Sequence, residues 1–174
     1  MKYLMYVFGD VREPIKIEGV TSNYIIHCCN AIGGFGSGVA HALLTKWPEV
    51  REHYLNHYKL NKDNKLLGSI DPVFVGKGLT VVKMIGQQGI GPEPDGKPPI
   101  RYDALREAVG RVCEFAKSYG DGFAIHVPYL MGCDRALGEW NVVENILEEE
   151  LAAKDIQVVV YDLFNKLGLK TADM

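Results

Sequence analysis

The chain has 174 residues, 47% of them hydrophobic, and a formal net charge of -3. That length suits one domain with a sizeable core, and the weakly acidic balance excludes a basic field that would draw nucleic acid or an anionic membrane surface non-specifically. No apolar run approaches the roughly 18 to 20 residues that span a bilayer, and the opening MKYLMYVFGD meets Gly9-Asp10 too early for a signal peptide. A single domain over residues 1–174 is therefore expected: a soluble, cytoplasmic monomer without membrane or nucleic-acid partners.

The predicted elements alternate. A strand over 3–8 forms an edge of the core, and a second over 23–29 leads into a stretch with Gly33, Gly34, Gly36 and Gly38. A helix from near Ser37 should carry Val39, Ala40, Leu43 and Leu44 inward, and Pro48 opens another, PEVREHYLNHYKLN. Strands over 71–76 and 79–86 flank the turn VGKGLT, whose Gly76 and Gly78 predict an antiparallel hairpin. The segment 87–101 holds four prolines and three glycines, which excludes helix or central strand and suggests a lid or wall of a site.

From Tyr102 to Tyr119 the residues Leu105, Ala108, Val109, Val112, Cys113 and Ala116 recur at helical spacing, and Gly120 stops the pattern. A strand over 123–128, a helix over about 139–153 and a strand over 156–163 complete the chain. The second of these should bury Trp140, Val143, Ile146, Leu147 and Leu151 and expose Glu148 to Glu150. Strands apolar on both faces and interleaved with helices give an α/β class: a three-layer α/β/α sandwich around a mixed, mostly parallel sheet of about six strands.

Neither cysteines nor histidines read as a reactive or metal centre. Cys28, Cys29, Cys113 and Cys133 lack CxxC spacing, so no metal is expected, and buried reduced thiols are the plainer reading. Only Cys133, beside a glycine loop, remains a candidate nucleophile. His27 and His126 sit in strands as core residues, His41 belongs to the helix after the first loop, and His53 and His57 are read as surface residues.

The glycine stretch after the second strand brings bare backbone N-H groups to a helix N-terminus, a geometry suited to phosphate. It lacks the GK[ST] of a Walker loop and the acid-terminated GxGxxG unit of a dinucleotide fold. A second glycine loop, HVPYLMGCDRALGEW, follows the strand at 123–128. The two could grip one diphosphate, or both could be tight turns.

In order and spacing, YVFGDV, IIHCCNAIGGFGSGVA, VVKMIGQQGIGP, PPIRYDAL, HVPYLMGCDRALGEW and VVVYDL resemble a macro domain. The resemblance is to the branch that includes the terminal ADP-ribose protein glycohydrolase and ADP-ribose 1''-phosphate phosphatases. It implies binding of ADP-ribose, free or on protein, or of its 1''-phosphate, with no cofactor. The activity implied is hydrolysis at the distal ribose, of ADP-ribosyl esters on protein or of the 1''-phosphate, with a non-catalytic reader or sequestering module as the alternative.

On matching positions, the resemblance places Asp10, with Val11 beside it, against the adenine amino group and Asn30 on the distal ribose. Gly36, Ser37, Gly38 and Val39 match the first diphosphate loop, and Met131, Gly132, Cys133, Asp134, Arg135 and Ala136 match the second. Tyr161 or Phe164 would cover the adenine. Asp134 is the implied general base, helped by Asn30, with Glu139 as a lesser candidate. Where glycohydrolases carry a nucleophilic lysine, this chain has Gln87 or Gln88, and neighbouring Lys83 lies inside the strand.

Overall fold

The computed structural model describes residues 3–34 and 38–169. Along them run β1 (Leu4–Phe8), β2 (Ser22–Asn30), α1 (Gly38–Lys46), α2 (Glu49–Asn61), β3 (Ile70–Gly76), β4 (Leu79–Gln87), α3 (Tyr102–Ser118), β5 (Phe123–Pro128), α4 (Trp140–Glu150) and β6 (Gln157–Asp162). One sheet holds all six strands in the order β1-β6-β5-β2-β4-β3. It is parallel except for β3, which turns back on β4 as the glycine turn predicted. At Gly78, with φ +66°, a Cβ would lie 2.4 Å from Thr21 O, so only glycine fits that turn. Pro72 is tolerated in β3 because an edge strand need not donate outward.

Alternation along the strands sorts their side chains between two cores. Tyr24, Ile26, Val82, Met84, Ile125 and Val127 pack with Leu105, Val109 and Val112 of α3 and Val143, Ile146 and Leu147 of α4. Ile25, Val73, Val81 and Val159 pack with Leu43 of α1 and with Trp47 and Val50 on the opposite face, where Cys29, Ile85 and Tyr54 extend the layer. Cys28 packs against the first core and Cys29 belongs to the second, as the strand period of two demands. The result is the expected α/β/α sandwich.

Some faces differ from the periodic expectation. In α1 only Leu43 is fully buried, and Val39 is 37% exposed because it faces a cleft rather than the core. Trp140 is half-buried, its indole Nε1 donating to Tyr6 Oη at 3.0 Å while the Tyr6 hydroxyl bonds Glu144. The helix expected to reach residue 153 ends at Glu150 and passes through a 3-10 turn, Ala152–Lys154. Glu150 is half-buried because it bonds Arg106 at 2.9 Å and Lys154 at 3.4 Å. His57 is not a surface residue: it is half-buried, with Nε2 2.9 Å from Ser69 Oγ, and burial lowers its pKa.

The topology also makes a crevice. Neighbouring strands β2 and β5 run in the same direction, but the chain leaves β2 toward α1 on one face and leaves β5 toward α4 on the other. A gap opens at their C-terminal ends, where ligands of open α/β sheets collect.

Candidate functional site

Two adjoining cavities fill that crevice. One, of about 350 Å³, is lined by Asn30, Gly34, Gln87, Ile90 and the second glycine loop; the other, of about 530 Å³, is lined by Asp10, Val11, Arg12, Tyr161 and Phe164. Gly38, Val39, Pro128, Leu130 and Asp134 belong to both, so the cavities form one two-lobed cleft with the start of α1 at its waist. The sequence-assigned residues Met131, Gly132, Arg135 and Ala136 line the smaller lobe, and Cys133 the larger. Gly36 and Ser37 lie outside the described residues.

The first loop is held by Asn30, which is buried at the end of β2. Its Oδ1 accepts Ile32 N at 3.1 Å, Gly34 N at 3.0 Å and Tyr54 Oη at 2.7 Å, and its Nδ2 donates to Gly34 O at 2.7 Å. One amide side chain thus fixes the chain from Ile32 to Gly34, and its second amide hydrogen is not used by these bonds. No residue in the first turn of helix α1 is acidic, and a helix start favours negative charge.

The second loop is a tight coil. Met131 N donates to Pro128 O, Cys133 N to Leu130 O, Leu137 N to Asp134 O and Gly138 N to Gly132 O, all at 2.8–3.1 Å. A Cβ on Gly138 would lie 2.5 Å from Gly132 O, so the loop closes only with glycine there. Leu130 sits at φ +66°, a conformation that leucine adopts at a cost, on the wall shared by both lobes. Asp134 is exposed, and its Oδ2 lies 3.9 Å from where a Cβ on Gly38 would sit, so the carboxylate overhangs the first turn of α1. Glu139 lines neither lobe; its backbone N–H donates to Tyr102 Oη at 3.0 Å ahead of α4.

In the larger lobe Asp10 is held by Arg12, a residue that sequence reasoning missed. Arg12 N donates to Asp10 Oδ1 at 2.9 Å, Nε lies 3.1 Å from both carboxylate oxygens and Nη2 2.7 Å from Oδ2. The guanidinium holds the Asp10 carboxyl below the usual carboxylate range. The spacing Asp-x-Arg, in which an aspartate caps the backbone N–H two residues on, was the available signal. Tyr161 is 2% exposed and floors the lobe from the core: its hydroxyl accepts Ile15 N at 2.9 Å and lies 2.7 Å from His126 Nδ1. Phe164, 78% exposed at the rim, is the aromatic with a free face.

Of the two glutamines, Gln87 is buried in the smaller lobe, donating through Nε2 to Gly89 O at 2.8 Å, whereas Gln88 is exposed outside it. Lys83 is fully buried on β4, pairs with Asp71 Oδ2 at 3.3 Å and lines neither lobe. Burial pushes the Cys28 thiol up to about 12 and the Cys133 thiol up to about 11, so neither is a ready nucleophile. The 87–101 segment is a built wall: Gly91 N donates to Arg135 O, Ile100 N to Ala136 O, and Arg101 pairs with Glu93. Ile90 is its contribution to the lobe.

No protein-family model matches the chain. Among solved structures, a Bacteroides thetaiotaomicron protein described as of unknown function is 40% identical, with a TM-score of 0.85 over 93% of this chain and 99% of its own. A macrodomain protein from Streptomyces coelicolor is 32% identical, with a TM-score of 0.75 over 91% of this chain and 98% of that one. This chain belongs to the macrodomain family. The macrodomain is also similar to the curated ADP-ribose 1''-phosphate phosphatase of Saccharomyces cerevisiae strain YJM789, 24% identical over an alignment of 184 positions, gaps included, that covers 94% of this chain and 100% of the yeast protein. Among the described residues, no helix of the macrodomain is long and apolar enough to cross a membrane.

Proposed function

We propose that this macrodomain binds ADP-ribose along the two-lobed cleft and hydrolyses a bond at its distal ribose, that of a protein ADP-ribosyl ester or of the 1''-phosphate. The observation that carries the reading is Asp134, whose exposed carboxylate overhangs the anion-favouring end of α1 where the two lobes meet. In this reading the base enters the larger lobe against Asp10 and beneath Phe164. The diphosphate crosses the waist at Gly38 and Val39, and the distal ribose meets the Asn30 side-chain amide beside Gln87.

A carboxylate close to a bound diphosphate disfavours ground-state binding, so its place in the cleft is better explained by chemistry than by affinity. Asp134 takes a proton from the water that attacks at the distal ribose, and the ester carboxylate or the phosphate leaves. The yeast relative's name supports the phosphate branch. Gln87, which cannot act as a lysine nucleophile, favours a second reading in which the cleft only holds ADP-ribose.

Single-turnover assays on ADP-ribose 1''-phosphate and on an ADP-ribosyl-glutamate peptide separate the two. Hydrolysis predicts that Asp134→Ala lowers turnover by about 10²-fold or more while ADP-ribose binds as tightly as before or more tightly. A wild-type protein that binds ADP-ribose and turns over neither substrate leaves the reader.

A further inference from the structure

Resting on the ADP-ribose reading of the cleft, we propose that Arg12 is the positioning residue that sets base specificity: it locks Asp10 as an acceptor for a 6-amino purine, so that the larger lobe takes adenine and rejects a 6-oxo purine. The turn at Asp10 is already closed by Arg12 N on Oδ1 and by Glu13 N on Asp10 O at 2.9 Å each. The guanidinium fork is therefore additional to what the turn needs. An exposed ion pair of this kind adds little to stability, and both side chains are partly exposed.

What the fork does is fix the carboxylate plane. Nε reaches both oxygens and Nη2 reaches Oδ2, so the carboxylate cannot rotate without breaking several bonds. The arginine is itself anchored: Nη1 lies 3.5 Å from Ala42 O on α1, and Lys46 Nζ donates to Arg12 O at 2.8 Å. The base pocket is thereby tied to the helix whose start forms the waist of the cleft. Three N–H donors from Arg12 engage the carboxylate, with Nε shared between both oxygens, and what the ionised group still offers the lobe it lines is an acceptor position. An exocyclic amine fills it, whereas a 6-oxo group presents a second acceptor and is repelled.

The test is calorimetric titration of wild type, Arg12→Ala and Arg12→Lys with ADP-ribose and with inosine diphosphate ribose, the two ligands differing only at the purine 6-position and N1 proton. Wild type should prefer ADP-ribose by about tenfold or more. In Arg12→Ala the preference should fall below about threefold, with the melting temperature within about 2 °C of wild type, and Arg12→Lys should recover part of it as a point charge without the fork. An Arg12→Ala protein that keeps the wild-type preference overturns the role of Arg12 alone, even if both affinities drop together. A folded wild type that binds neither ligand overturns the ADP-ribose reading and this inference with it.

Discussion

A carboxylate distinguishes an amine from a carbonyl only while it is ionised and held still, and Asp10 meets both conditions through its neighbour two residues on. Asp10→Ala should therefore weaken ADP-ribose binding by roughly 10- to 100-fold, the range for a lost charged hydrogen bond, and lower the melting temperature by only about 2–4 °C for the lost turn bond; titration calorimetry with a thermal melt checks both. Asn30 acts differently. Its oxygen is shared among two loop N–H groups and the Tyr54 hydroxyl, so substituting it disturbs the loop before it disturbs any ligand. An asparagine at a strand end was legible in the sequence, but a tyrosine 24 residues away on α2 that shares its oxygen was not. Arg12 was equally hidden, because a charged residue on a turn reads as solvent-facing until its partner is placed.

At the scale of elements, the strands and α3 were legible almost to the residue, β5 spanning 123–128 as expected. Apolar periods of two and 3.6 report which side of an element is dry. They do not report whether a residue turned away from solvent meets a core or a cleft, which is why Val39 was misplaced, or whether a polar side chain finds a half-buried partner, as His57 does in Ser69. Nor do they register polar residues that cross a sheet. Strand pairing sets His27 beside Lys83 and Lys83 beside Asp71, a row across β2, β4 and β3 on the α2 face. Lys83 is completely buried, which lowers its pKa, and Asp71, 3.3 Å away, is the main group among the described residues that offsets the cost of its charge. Lys83→Met should strand the Asp71 carboxylate and cost about 3–5 kcal/mol. The double variant Lys83→Met with Asp71→Leu should recover most of that loss; urea midpoints of the three proteins measure it.

Two fully buried histidines contribute the largest part of the histidine-linked pH dependence of the whole molecule, ahead of half-buried His57. Burial lowers His27 to about 3 and His126 to about 4. His126 is satisfied as a neutral ring, Nε2 lying 2.7 Å from Asn23 Oδ1 and Nδ1 2.7 Å from Tyr161 Oη. Because the unfolded chain protonates these rings near 6.5 and the folded one does not, the unfolded state binds more protons below that pH, and stability falls as pH falls. Between pH 7 and 5.5 the loss is about 1 kcal/mol for each ring, which should lower the melting temperature by roughly 4–8 °C. His126→Gln should flatten about half of that slope in melts across the range.

The central claim, that the two lobes together hold one ADP-ribose, is tested most directly by titrating the wild-type protein with ADP-ribose and with ADP in the calorimeter. Micromolar binding of ADP-ribose, with ADP at least about tenfold weaker because the smaller lobe stays empty, is the predicted result. A flat ADP-ribose titration by folded protein, or ADP bound as tightly as ADP-ribose, would contradict it.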